Sequence, residues 1–270
     1  MAFSQGSRSS LSYAVESAFG TTPSGDFTNL PFSTHSLNLT KDVLAGTDIQ
    51  ADRMGRVNRQ GNRQVGGDIV VDLRDGDFDP FIESAMLSSF PAAGTNPQII
   101  KVGTVDKNFS VQDYAADIDI ARRFTGCSVS TMGISLAPNQ MVTTTFGMVG
   151  KDMNPTITSG SFITGDSYTI VTVGTTDFTL VGASASTVGV TFTATGVGTG
   201  TGTASVGFAV ERTQLPSSGA APFDAYSGDI SIGTVGSPSA VAIVTALDFT
   251  LNNSYAPTFV IGDDSAPSLE

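Results

Sequence analysis

Between Asn38 and Gly76 two strand-like ends are joined by a long, charged, glycine-rich middle, so the chain must pair segments that lie far apart in sequence. On the C-terminal end Ile69, Val71 and Leu73 alternate with Asp68, Asp72 and Arg74. That is the period of a strand with one buried and one wet face, interrupted only by Val70. The middle, from Gly46 to Gly66, carries Arg53, Arg56, Arg59 and Arg63. Their spacing would suit a helix face, but Gly46, Gly55, Gly61, Gly66 and Gly67 argue against a continuous helix. Long connections inside a compact domain are functional or disordered. Two readings stand at this point: a solvated flexible hairpin, or an arm that sets arginines against the carboxylates of another subunit.

The rest of the chain reads as scaffold for that segment. Residues 1 to 36 are punctuated by Gly20, Pro23, Gly25 and Pro31, which predicts an irregular arm. Its anchors Tyr13, Val15, Phe19 and Phe27 would pack on this domain or on a neighbour. DGDFDPFIESAMLSSF predicts a helix from Asp79 to about Ser88, with Asp79 as cap and Pro80 in the first helical position. Asp75, Asp77 and Asp79 resemble the opening of a calcium loop, yet Pro80 stands where the sharp turn needs glycine and Met86 where the ion needs a bidentate glutamate. Residues 98 to 126 read as two strands, QIIKVGTV and KNFSVQDYAADIDIARRF. GCSVSTMGISL and QMVTTTFGMVG then flank Ala137, Pro138 and Asn139 as an antiparallel hairpin, with Gly133 and Gly147 marking bulges or close approaches. AVAIVTALDFTLNNSY reads as the most regular strand, with Val241, Ile243, Leu247, Phe249 and Leu251 on one face.

Between Thr156 and Ser205 glycine, serine and threonine exceed half of the residues, and the only charges are Asp166 and Asp177. Short β-branched runs with glycine stops make this stretch a small all-β insert and not a linker. The chain therefore divides into a discontinuous domain, 1–155 with 206–270, and an insert, 156–205.

Charge decides which functions are open. Acidic groups outnumber basic ones 25 to 13, giving a net charge of −12. Tight nucleic-acid binding needs lysine and arginine to displace phosphate counterions, so this chain should repel DNA. One cysteine, Cys127, leaves no intramolecular disulfide, and with a single histidine, His35, it cannot form a zinc site. His35 has no nucleophile elbow beside it and reads as an ordinary strand-edge residue. Catalytic, metal and cofactor assignments are therefore all none. A two-carboxylate glycosidase would lack a tryptophan platform. No run of 18 apolar residues and no secretory leader is present, so membrane insertion is not expected.

LNLTKDV, GNRQVGGDIVVDL and FTGCSVSTMGISLAPNQMVTTTFGMVGKDM, in that order, resemble the major tail tube protein of long-tailed, siphovirus-type bacteriophages. The likeness spans about residues 10 to 155 and resumes at about 222 to 268, where DFTLNNSYAPTFVIG carries it. Relatives continue with further strands and a short helix. The resemblance implies an all-β sandwich or half-barrel, mainly antiparallel, with one short helix; the β insert departs from that pattern and should project from the outer surface, since a place in the lumen or between rings would block assembly. The resemblance also implies six-subunit rings that share strands in an inner barrel and stack into a tube in the virion tail, assembled in the host cytoplasm. The partners would be copies of the chain itself, other tail proteins at the tube ends, and viral DNA passing through without specific binding. On this reading Asp68, Asp72 and Asp248 line the lumen, while Arg53, Arg56, Arg59 and Arg63 form an inter-ring arm. The rival is a β-sandwich adhesin or receptor-binding module, suggested by the hydroxyl-rich insert and the general acidity.

Overall fold

The computed structural model describes residues 8–23, 25–46, 58–92, 99–117, 120–154, 156–206, 213–226, 231–234, 237–240, 244–259 and 268–269. The first strands are β1 (Ser9–Val15), β2 (Phe27–Asn29), β3 (Thr34–His35), β4 (Asn38–Leu44) and β5 (Arg59–Asp72). Helix α1 (Asp79–Met86) precedes β6 (Phe109–Ala115), β7 (Ile120–Leu136), β8 (Thr143–Gly150) and β9 (Asp152–Met153). The insert supplies β10 (Thr156–Thr158), β11 (Ser167–Thr172), β12 (Thr191–Thr193) and β13 (Thr203–Val206). β14 (Gln214–Leu215), β15 (Ser231–Thr234), β16 (Ser237–Ala240), β17 (Leu247–Asn252), β18 (Pro257–Thr258) and β19 (Ser268–Leu269) follow. The protein is all-β, mainly antiparallel, with one α-helix, as its alternating patterns predict.

β7, at 17 residues, belongs to two halves of one eleven-stranded sheet. Its N-terminal half pairs with β6 on one edge and β9 on the other. Its C-terminal half pairs with β8 and β17 in the same way. The strand can change direction because Gly126 takes φ 63, a left-handed value that glycine adopts without strain. A Cβ there would lie 2.7 Å from Lys151 Cβ and against the Phe19 ring, so the position is closed to larger residues. Further along, the register shifts between Val129 and Thr131 opposite Gly147, whose missing Cβ leaves room for Thr131 Oγ1. The bulge expected at Gly147 is thus present, whereas a Cβ on Gly133 would meet open space.

α1 lies over β7, burying Phe81, Ser84 and Ala85. Phe81 stacks on Phe109 at 4.6 Å and meets the rings of Tyr13 at 4.9 Å and Phe146 at 5.4 Å. These rings centre a core that takes residues from β1, β5, β6, β7 and β8.

Several expectations are corrected here. Residues 9 to 15 are not an irregular arm: β1 sits between β2 and β6, and Leu11 and Tyr13 are buried in their own domain. The helix ends at Met86, before Ser88, because Leu87 turns left-handed at φ 52. Its cap position falls on Phe78, and Asp79 is the first helical residue with no capping bond. Residues 99 to 105 form no strand. The Gly103 and Val105 amides donate instead to the Met86 and Leu87 carbonyls, at 2.9 and 2.8 Å, satisfying the helix end. KNFSVQDYAADIDIARRF folds back on itself as the β6–β7 hairpin, Phe109 opposite Cys127 and Ala115 opposite Ile120. The apolar run before Asn253 contributes the shorter strand β17, with Val241 and Ile243 outside the described residues. Replacing Phe81 with alanine is expected to cost about 3–5 kcal/mol, read as a lower denaturation midpoint with unchanged far-UV circular dichroism below it.

Candidate functional site

The strands β5, β8, β7 and β17 lie side by side, and their register sorts every residue onto one of two faces. Residues directly opposite each other in antiparallel pairs share a face. One face carries Ile69, Phe146, Met132 and Leu251 toward the core. On the other, Asp72, Thr143, Ser135 and Asp248 stand in one row across the four strands. A second row holds Val70, Thr145, Gly133 and Thr250, and a third holds Asp68, Gly147, Thr131 and Asn252. The three rows contain no cation. Asp68 and Asp248 are exposed and Asp72 half-buried.

The carboxylates are well spaced, and that of Asp248 is held by a hydrogen bond. Ser135 donates its hydroxyl to Asp248 Oδ1 at 2.5 Å, and the Asp68 amide donates to Ser36 Oγ at 2.9 Å. Asp72 and Asp248 stand three strand spacings apart, about 14 Å. That exceeds the Debye length of about 8 Å at physiological salt, so the acids share a sheet with little mutual repulsion.

The arginines are divided differently. β5 from Arg59 to Gln64 runs past the end of β8 and pairs only with β4, making a two-stranded ribbon off one end of the sheet. Arg59 is exposed on it, opposite Leu44. Arg63 is held within its own chain, its guanidinium 3.0 Å from Asp152 Oδ2 at the ribbon root. Burial raises the pKa of Asp152, and the Arg63 charge works against that shift. Arg53 and Arg56 fall outside the described residues.

Two clusters were not foreseen from the sequence. His35 Nε2 approaches Asp113 Oδ1 at 3.6 Å, and Arg122 pairs with the other oxygen of the same carboxylate. Burial raises the Asp113 pKa, but the bonds from His35 and Arg122 outweigh it and hold the group below the usual carboxylate range. Deeper, Arg123 is 1% exposed and pairs with Asp166, 2% exposed, at 2.7 Å. It also donates to Gln112 and lies over the Phe27 ring. Arg123 belongs to β7 and Asp166 to the insert, so this ion pair joins the two. The signal was one of scarcity: Asp166 is one of only two charges between Thr156 and Ser205.

The insert has its own four-stranded sheet, in the order β10-β13-β11-β12, and its own core around Phe162, Tyr168, Phe178 and Phe192. Ala121 of β7 is part of that core. Among the described residues no group of three His, Cys, Asp or Glu side chains could hold a metal, and no helix is long and apolar enough to cross a membrane. Cys127 is buried, which pushes its thiol pKa well above the ordinary value.

Carboxylates ranked across one exposed sheet face, and strand edges on β4 and β17 that no strand among the described residues covers, are features of a structural β protein. A family model described as phage tail tube protein matches residues 6–162, more than half of the chain, and the chain belongs to that family. It is accordingly a structural component of the virion tail whose copies assemble into a tube. The match takes in β1 to β9 and the start of the insert, and does not reach the second stretch of likeness at 222 to 268. No curated protein matches the chain.

Asp166→Asn should destabilise the protein by about 3–5 kcal/mol, because it strips the buried guanidinium of its counter-charge, and the pair Arg123→Met with Asp166→Leu should recover most of that loss in chemical denaturation. For Asp113 the native pKa lies below the unfolded one, so its contribution is complete above about pH 4 and is lost as pH falls through the native value. Melts of the protein and of Asp113→Asn should therefore converge in acid and separate toward neutrality.

Proposed function

We propose that copies of this chain form six-subunit rings stacked into the tail tube of a long-tailed phage, a conduit through which viral DNA leaves for the host without specific binding. The observation that carries this reading is the register that sets Asp68, Asp72 and Asp248 on one wet face of the β5–β8–β7–β17 sheet. Turned to the lumen, that face presents DNA with hydroxyls and negative charge. A polyanion is repelled at short range and slides, where a cationic wall would hold it.

The edges support ring closure. Among the described residues nothing pairs with the outer edge of β4 at one margin of the sheet or of β17 at the other. Strand sharing between neighbouring copies would remove both edges at once. The number six and the assembly of the tube in host cytoplasm rest on likeness to the family, as do contacts with other tail proteins at the tube ends. The insert joins the body at Arg123, toward the opposite end of β7 from Ser135, and an outward position keeps the bore clear. In the inter-ring arm Arg53, Arg56 and Arg59 meet carboxylates of the next ring, while Arg63 braces the root through Asp152.

Replacing Asp68, Asp72 and Asp248 together with asparagine should leave tubes that form but retain short duplex DNA at low salt, measured by co-sedimentation. Tubes with Asp68 and Asp72 on their outer wall in an electron-microscopy reconstruction would overturn the lumen assignment. Changing Arg53, Arg56 and Arg59 to alanine, with Arg63 kept, should reduce the polymerised fraction several-fold while the subunit melts normally.

A further inference from the structure

Where the insert meets the body lies a cavity of about 150 Å³. Its floor is polar and buried. Arg123 and Asp166, 1% and 2% exposed, line it as an ion pair, and Tyr168 brings its hydroxyl to 3.5 Å from Asp166 Oδ2. Ile157 and Ile163 line it as well, so apolar groups stand beside the charged ones. The mouth is wet: Thr158 and Ser161 are exposed at it.

Three properties of this cavity select a ligand. The first is charge. The guanidinium and the carboxylate cancel each other, and the only other charge between Thr156 and Ser205 is Asp177, in a chain whose net charge is −12. An ion of either sign would meet a like charge at the floor, whereas a neutral molecule meets no net charge. The second is hydrogen-bond type. A guanidinium only donates, a carboxylate only accepts and hydroxyls do both, so a matching ligand carries donors and acceptors close together. The third is size, because a cavity of this volume holds one six-membered ring. Outside the mouth the surface stays hydroxyl-rich. Register sets Thr158, Thr203 and Thr172 in one row across β10, β13 and β11, and the Thr172 and Thr203 hydroxyls lie 2.8 Å apart on exposed surface.

We propose that this cavity binds one ring of a neutral sugar, free or at the end of a glycan, with its hydroxyls against Arg123, Asp166 and Tyr168 and a C–H face against Ile157 and Ile163. A polyhydroxylated ring combines paired donors and acceptors, no charge and an apolar face, which is what a concave site with a few convergent polar groups recognises. The threonine row offers uncharged hydroxyls to the next units of a glycan. The site lies within one subunit, so it goes beyond the tube reading and does not rest on it.

The test is saturation-transfer difference NMR on the full chain, with glucose, galactose, mannose, N-acetylglucosamine and N-acetylgalactosamine as neutral probes and glucosamine and glucuronate as charged comparators. At least one neutral probe should bind saturably with a Kd in the millimolar range, and the comparators at least about tenfold more weakly. Ser161→Phe, which plugs the mouth from an exposed position, should abolish the signal without moving the melting temperature. If that variant melts early, Thr158→Trp takes its place with the same expectation. Arg123 and Asp166 are left unaltered because they also hold the insert to the body. Absence of saturable binding by every neutral probe, equal binding of the comparators, or a signal that survives the plugged mouth would each overturn the site. A trisaccharide ending in the bound unit separates the two sources: binding at least as tight as that of the single ring assigns the cavity to glycan ends, and exclusion assigns it to free sugars.

Discussion

The fold depends on one strand being able to serve both halves of a single sheet. β7 hydrogen-bonds along both edges for most of its length, and β6, β8, β9 and β17 are fixed by what they pair with there. The left-handed Gly126 and the shift opposite Gly147 lie where β7 exchanges one set of neighbouring strands for another. α1 then seals the concave side with Phe78, Phe81 and Ala85. The cost of ordering so many distant segments is met by one aromatic core, not by local contacts, and the chain's abundance of glycine and threonine is tolerable for that reason.

Function in such a protein is a matter of which face looks where. Asp68 and Asp72 share a face of β5 by alternation, and antiparallel register across three strands brings the distant Asp248 to the same surface. Their carboxylates are too far apart to form an ion-binding or reacting cluster.

How much of this was legible beforehand varied with the kind of signal. Alternation in the residues after Gly66 and the Ala137–Asn139 turn were read directly, because period and turn chemistry are local. β1 was missed because punctuating glycines and prolines after it outweighed the Leu11 and Tyr13 alternation. The strand expected at 98 to 105 failed for a different reason: the Gly103 and Val105 amides are taken by the Met86 and Leu87 carbonyls at the end of α1, a tertiary partner that no window of sequence contains. The pairing of Arg63 with Asp152 and of Arg123 with Asp166 was equally out of reach, since both join segments placed together only by the sheet. The wet face of β5 was visible; that β17 would extend the same face was a matter of register.

The ion pair at the foot of the ribbon has a mechanical consequence. Asp152 is almost wholly enclosed, so dissolved salt scarcely weakens its grip on Arg63, while the exposed cations farther out are surrounded by solvent. The projection behaves as a beam built into a wall, clamped at its root by a charge pair that solvent hardly reaches, with its outer charges answering to the ionic strength around them.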